Sequence, residues 1–198
     1  STSKNIKLNS INVWAQRLSY VGELGYELYI QKENAKEVYD LIVNTGKDFG
    51  LTNCGAHTMD TMRMESGFLH WGHDISPEEN QYQAGLNFTI SYKKPFDFIG
   101  KENLLKIKSQ KLESRFVMLV LKDSIPGKPL LLHEEPIYLN DNIIGKTTSG
   151  NYSFNYNKNL SFGYINSKIS NEQLVDKNLY IEIEKKKYPA ELLIKPLK

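Results

Sequence analysis

Apolar and polar positions alternate twice near the start of the chain. Val13, Ala15 and Arg17 alternate with Asn12, Trp14 and Gln16; Tyr26, Leu28 and Ile30 alternate with Glu27 and Tyr29. A period of two marks a half-buried strand, and the glycines at 22 and 25 permit a turn between, so residues 10–31 predict two strands. The period then changes. Over 34–48, Ala35, Val38, Leu41 and Ile42 recur at helical spacing, with Asn34 as the expected N-cap. A second helix is predicted over 56–66, where Met59, Met62 and the aliphatic part of Arg63 share a stripe and Gly67 ends it. An irregular, aromatic-rich stretch follows at 68–83. Residues 85–92, GLNFTISY, alternate as a strand, and 93–108 read as a loop followed by a short helix.

From about residue 111 the texture changes to short strands with almost no helical pattern. They are FVMLVLK (116–122), EPIYLN (135–140), IIGKTTSG (143–150), SFGYI (161–165), LYIEIEK (179–185) and YPAELLI (188–194). Hairpin turns are expected at 140–142 and 185–187, although neither carries the Asn-Gly signature. Regular short strands of this kind suggest a small sandwich or barrel. The boundary is placed in the charged run KSQKLES at 108–114. The fold class is therefore α+β, with a mixed domain over 1–110 and an antiparallel β-domain over 111–198.

Composition narrows the function. The 198 residues are 40% apolar and 24% charged, enough for a real core. Lys and Arg number 25 against 23 Asp and Glu, a net +2 that is too balanced to imply a nucleic-acid groove or an anionic membrane surface. A single cysteine, Cys54, excludes an internal disulfide and a thiolate zinc cluster, and fits a reducing compartment. No window approaches the roughly 18 apolar residues of a membrane span. The polar start STSKNIKLNS resembles neither a signal nor a transit peptide. No nucleic-acid or membrane partner is expected.

Candidate chemistry is sparse. Tyr20, Glu23 and Glu27 lie around the turn of YVGELGYEL (20–28). Glu27 has apolar neighbours, where an unpaired carboxylate is costly to bury, and two adjacent N–H donors on a ligand would satisfy it. The plainer reading is an exposed strand carboxylate. His70, His73 and Asp74 form an H-x-x-H-D cluster, but Gly67 and Gly72 bracket it and no third strong ligand is evident, so no metal is expected. Trp71 is either a stacking face for a planar ligand or a plug between layers. Arg63 and Glu65 read as a core stripe with a snorkelling Arg. Cys54 reads as a small buried residue. The run TTSGNYSF (147–154) reads as a loop. No phosphate loop, nucleophile elbow or G-x-G-x-x-G fingerprint occurs.

Several segments, in order, resemble the glycine-cleavage T-protein (aminomethyltransferase) superfamily, and especially the folate-binding region of dimethylglycine and sarcosine dehydrogenases. They are RLSYVGELGYELYI (17–30), MDTMRMESGFLHWGHDI (59–75), QAGLNF (83–88), FIGKENL (98–104), EPIYLNDNIIGKTTSGNYS (135–153), LSFGYI (160–165) and YPAELLIKPL (188–197). The GFLHWGHDI segment points to the dehydrogenase branch. The resemblance implies the second half of a T-protein-like folate-binding domain over 1–110 and a small C-terminal β-barrel over 111–198. It implies tetrahydrofolate as cofactor, with Tyr20 packing on the folate, Glu27 gripping the pterin ring, and Phe68 and Trp71 walling the same pocket. The T-protein branch often has Arg where Met59 stands, so no cation for the folate tail is implied there. The family's catalytic aspartate and its flavin domain, with FAD, lie upstream of the matching part, so no catalytic residue is assigned. The whole protein would oxidise an N-methylated amine and pass the one-carbon unit to tetrahydrofolate. Its partners would be folate and the missing half or flavin domain, in the cytoplasm or the mitochondrial matrix. Two alternatives are a glycine-cleavage aminomethyltransferase fragment and a non-catalytic folate-binding scaffold module.

From this reading the 198-residue chain by itself should show neither amine oxidation nor aminomethyl transfer. Turnover by the pure chain in either assay would place the chemistry in residues whose pattern reads as binding or structural.

Overall fold

The alternating start of the chain folds as an antiparallel sheet in the computed structural model, which describes residues 2–175 and 178–198. Its strands are β1 (Ser3–Leu8), β2 (Ile11–Gln16) and β3 (Glu27–Tyr29), with β2 in the middle. The sequence pattern did not predict β1, because SKNIKL has only Ile6 and Leu8 as apolar positions. A tight turn forms it: Leu8 faces Ile11, and Asn9 takes the left-handed conformation at φ 52°. The sheet has two unlike faces. Ile11 and Val13 on one face are buried with Val38 of helix α1 (Ala35–Gly46), joined by Ile6, Leu8, Leu28, Ile30 and Ile42. Asn34 precedes α1 but makes no side-chain capping bond, because a 3-10 turn over Lys32–Asn34 already leads into the helix.

Helix α2 (Ala56–Glu65) stands where periodicity placed it, and Gly67 ends it at φ 71°. Its buried side is only in part the expected one. Met59 is exposed, whereas Thr61, Arg63, Met64 and Glu65 are buried. Arg63 does not snorkel: its side chain is 1% exposed, and its Nε donates to Asp60 Oδ1 at 2.7 Å. The chain divides into two compact units, Ser1–Arg63 and Met64–Lys198.

In the second unit the expected strand at 85–92 is absent. Residues Asn87–Thr89 form a 3-10 turn instead, closed by the Thr89 hydroxyl on the Leu86 carbonyl, and Phe88 is exposed. An alternating segment becomes a strand only with a neighbour to pair with, and these residues have no ladder. Helix α3 (Lys101–Ser109) follows the loop as predicted.

The last part is a closed six-stranded barrel. Its strands are β4 (Ser114–Leu121), β5 (Pro136–Leu139), β6 (Asn142–Ser153), β7 (Lys158–Asn166), β8 (Leu179–Ile183) and β9 (Lys186–Leu193), in the order β4-β7-β6-β5-β8-β9. Val117, Leu119, Leu121, Ile137, Ile165, Ile181 and their neighbours fill it. Residues 147–153 belong to β6 rather than to a loop, because polar side chains there are turned inward and satisfied: Thr147 and Ser153 are fully buried. Two hairpins turn through residues at positive φ, Asn140 after β5 and the pair Glu184–Lys185 after β8. At Gly145 β6 and β7 approach so closely that a Cβ would lie 1.9 Å from the Tyr164 carbonyl oxygen.

Residues 64–75 are tied to the barrel by buried carboxylates. Glu65 accepts from Ser153 Oγ at 2.6 Å and from Asn155 Nδ2 at 2.9 Å. Asp74 accepts from Thr148 Oγ1 at 2.6 Å, from Ser149 Oγ at 2.7 Å and from the His70 N–H at 2.9 Å. Met64 packs on Val120, Leu160 and Phe162 of the barrel.

Glu65→Ala strands the Ser153 and Asn155 donors, and should lower unfolding free energy by about 2–4 kcal/mol in urea denaturation. Gly145→Ala forces two strand backbones apart, and should cost on the order of 3 kcal/mol by the same measurement. An unchanged midpoint in either variant would remove that feature from the forces holding the fold.

Candidate functional site

The bend between β2 and β3 carries the residues singled out around GELGYE. Ser19 Oγ accepts the Val21 N–H at 3.3 Å, and Gly22 follows at φ 67°, so the chain reverses here without a regular turn. Tyr20 sits half-buried in this bend. Arg17, Leu18, Ser19, Glu23, Leu24 and Gly25 line a hollow of about 270 Å³ on it. A second hollow, of about 440 Å³, opens over Ile6, Ala15, Tyr26 and Leu28 on the apolar face of the sheet.

Glu27 begins β3 opposite Gln16, and Tyr29 stands opposite Trp14. Side chains two apart on a strand share a face, so Glu27, Tyr29, Trp14 and Gln16 lie together on the face away from α1. Glu27 is exposed, so the cost of burying it, which its apolar neighbours suggested, does not arise. Its Oε2 accepts the Tyr29 hydroxyl at 2.8 Å. That hydrogen bond and the glutamate's charge push the Tyr29 phenol above its usual range. The Tyr29 ring lies 4.8 Å from the Trp14 ring, tilted by 39°. Sequence reasoning missed Tyr29 and Trp14. The signal was present: Glu27 and Tyr29 share the phase of one alternating strand.

A carboxylate offers about four lone-pair positions, so Glu27 can take further donors beside Tyr29. With two exposed aromatic rings next to it, the site suits a planar ring that presents adjacent N–H groups.

Phe68 and Trp71 belong to the second unit and are both exposed; Trp71, at 66%, plugs no layer. They sit on the loop that Asp74 closes. His70 O accepts the Asp74 N–H at 2.8 Å, and Gly72, at φ 88°, donates to Ile75 O at 2.7 Å. The His70 and His73 rings meet edge-to-face at 4.5 Å. Among the described residues no group of three or more His, Cys, Asp or Glu side chains is placed to hold a metal ion. Cys54 is exposed rather than buried, and its thiol lies 3.8 Å from the Thr52 carbonyl. Among the described residues no helix is long and apolar enough to cross a membrane.

Comparison with known proteins agrees with this architecture. Residues 1–94 match the GCVT N-terminal domain, and residues 115–198 match the glycine cleavage T-protein C-terminal barrel domain. The chain is 37% identical over 196 residues to a protein named mitochondrial dimethylglycine dehydrogenase from Homo sapiens, a match covering 98% of this chain and 22% of that protein. It is 37% identical over 158 residues to an aminomethyltransferase from Halothermothrix orenii, covering 80% of this chain and 43% of that one. The crystal structure of the glycine cleavage system aminomethyltransferase T from Bartonella henselae shares the fold, with a TM-score of 0.81 at 20% identity over 94% of this chain and 50% of that chain. The chain thus spans about a fifth to under half of the relatives it matches. Domain matches covering both the region before residue 95 and the barrel, with the fold to go with them, make this chain a member of the glycine-cleavage T-protein family.

Proposed function

We propose that this chain is the tetrahydrofolate-binding C-terminal portion of a dimethylglycine or sarcosine dehydrogenase-like protein. In this reading residues 1–110 are the second half of a folate-binding domain and 111–198 its barrel, completed by an N-terminal half and a flavin domain. The carrying observation is Glu27, an exposed carboxylate fixed on the open face of a three-stranded sheet beside two exposed aromatic rings. A pterin presents N3–H and a 2-amino group side by side, and a carboxylate accepts such a pair with both oxygens. Tyr20, on the adjoining bend, supplies a ring to pack on the folate. Tetrahydrofolate, when bound, would take up the one-carbon unit released from an N-methylated amine. The chain's own residues bind and orient it. Phe68 and Trp71 are further folate residues of this proposal, each to be judged by its own leucine substitution.

Glu27→Gln keeps the shape but turns one acceptor oxygen into a donor that would face a pterin N–H. Affinity for folinic acid, measured by NMR titration of the 198-residue chain into the millimolar range, should fall roughly 30- to 1,000-fold. Tyr20→Phe should cost less, because the ring survives. Equal affinity for the parent and Glu27→Gln would reduce Glu27 to a strand residue and end this reading. Restored aminomethyl transfer from a lipoyl carrier, once an N-terminal half is supplied, would favour the aminomethyltransferase alternative. Folate binding with no transfer in any reconstitution would favour the scaffold module.

A further inference from the structure

The folate reading uses Glu27 and the two rings beside it but gives the Tyr29 hydroxyl no role. We propose that Tyr29 is a positioning residue: its hydroxyl occupies one acceptor site of Glu27 Oε2, and this sets the plane in which the carboxylate meets a ligand's paired N–H groups. The proposal rests on the folate reading of Glu27 and adds a residue to it.

Three observations carry it. Glu27 and Tyr29 are two apart on β3 and so share a face, and the phenol is long enough to reach back along the strand to Oε2, at 2.8 Å. The Tyr29 ring is itself held from across the sheet, because Trp14 is its direct cross-strand partner and the two rings are 4.8 Å apart. Glu27 is exposed, so without this bond its side chain would rotate freely among rotamers, and a ligand would have to order it on binding. One bond from Tyr29 leaves Oε2 with a second acceptor position and leaves Oε1 intact, so the geometry keeps two acceptors for two donors. The same bond keeps the phenol protonated, since ionisation would set a phenolate against a carboxylate.

The test is a double-mutant cycle on the 198-residue chain, with folinic acid as probe, joined to a ligand-free NMR titration of tyrosine labelled at the ring Cζ. Tyr29→Phe keeps the ring against Trp14 and so keeps the fold. It should weaken folinic acid binding by about three- to tenfold. Glu27→Gln with Tyr29→Phe should bind no more weakly than Glu27→Gln alone, because Tyr29 acts only through the carboxylate. In the ligand-free arm the Tyr29 phenol should ionise at lower pH in Glu27→Gln than in the parent. A purely structural role for Tyr29 would leave the costs in the cycle multiplying, while the titration reports whether the Tyr29–Glu27 bond forms in solution. Costs that simply multiply in the double variant, or a phenol that titrates alike in both chains, would overturn the proposal while leaving Glu27 as a folate ligand. A parent chain that binds folinic acid no better than Glu27→Gln would instead overturn the folate reading, and this proposal with it.

Discussion

A carboxylate taken out of water must find donors, and Glu65 and Asp74 find their side-chain donors on and just beyond a single barrel strand. Ser153 and Asn155 serve Glu65, and Thr148 and Ser149 serve Asp74. The residues between them have little freedom as a result. The backbone from 65 to 74 must run beside β6, with Met64 seated on Phe162, and the Trp71 loop is held out at the surface by the closure at Asp74. Polar side chains on β6 that would be wasted in an ordinary barrel are here the receiving half of the attachment. This explains why Ser149 and Ser153 are buried on a strand of the barrel.

The small sheet solves a different problem. It has one apolar face, covered in part by α1 through Val38, and one face of polar residues with Trp14 and Tyr29 among them. Placing Glu27 on that second face keeps it clear of the packing of the first. Glu27 can be exchanged without opening the core, which is what makes its role measurable.

Much of this was legible in the sequence because the signals were local. Continuous apolar runs placed β4 and β7, and alternation placed β2 and β3 and put Glu27 in phase with Tyr29. What failed depended on distant partners. Nothing in GLNFTISY reveals that its alternation meets no neighbouring strand. Nothing in Met-Arg-Met-Glu reveals that Glu65 is buried with partners, because Ser153 and Asn155 lie 88 and 90 residues away. The polar run at 147–154 read as a loop for the same reason. Family resemblance suggested a role for Glu27, and the structure shows the phenol that touches it.

Closure of the barrel also bears on how copies of the chain meet. A ring of six strands offers no unpaired edge, so its backbone N–H and C=O groups give a neighbouring chain nothing to extend. Among the described residues the open ladders are those of the small sheet, along β1 and β3. Strand β3 is only three residues long, and β1 carries Lys4 and Lys7, whose like charges resist stacking against another copy of themselves. Among the described residues, strand-to-strand pairing with another chain is thereby left to two edges, one charged and one only three residues long.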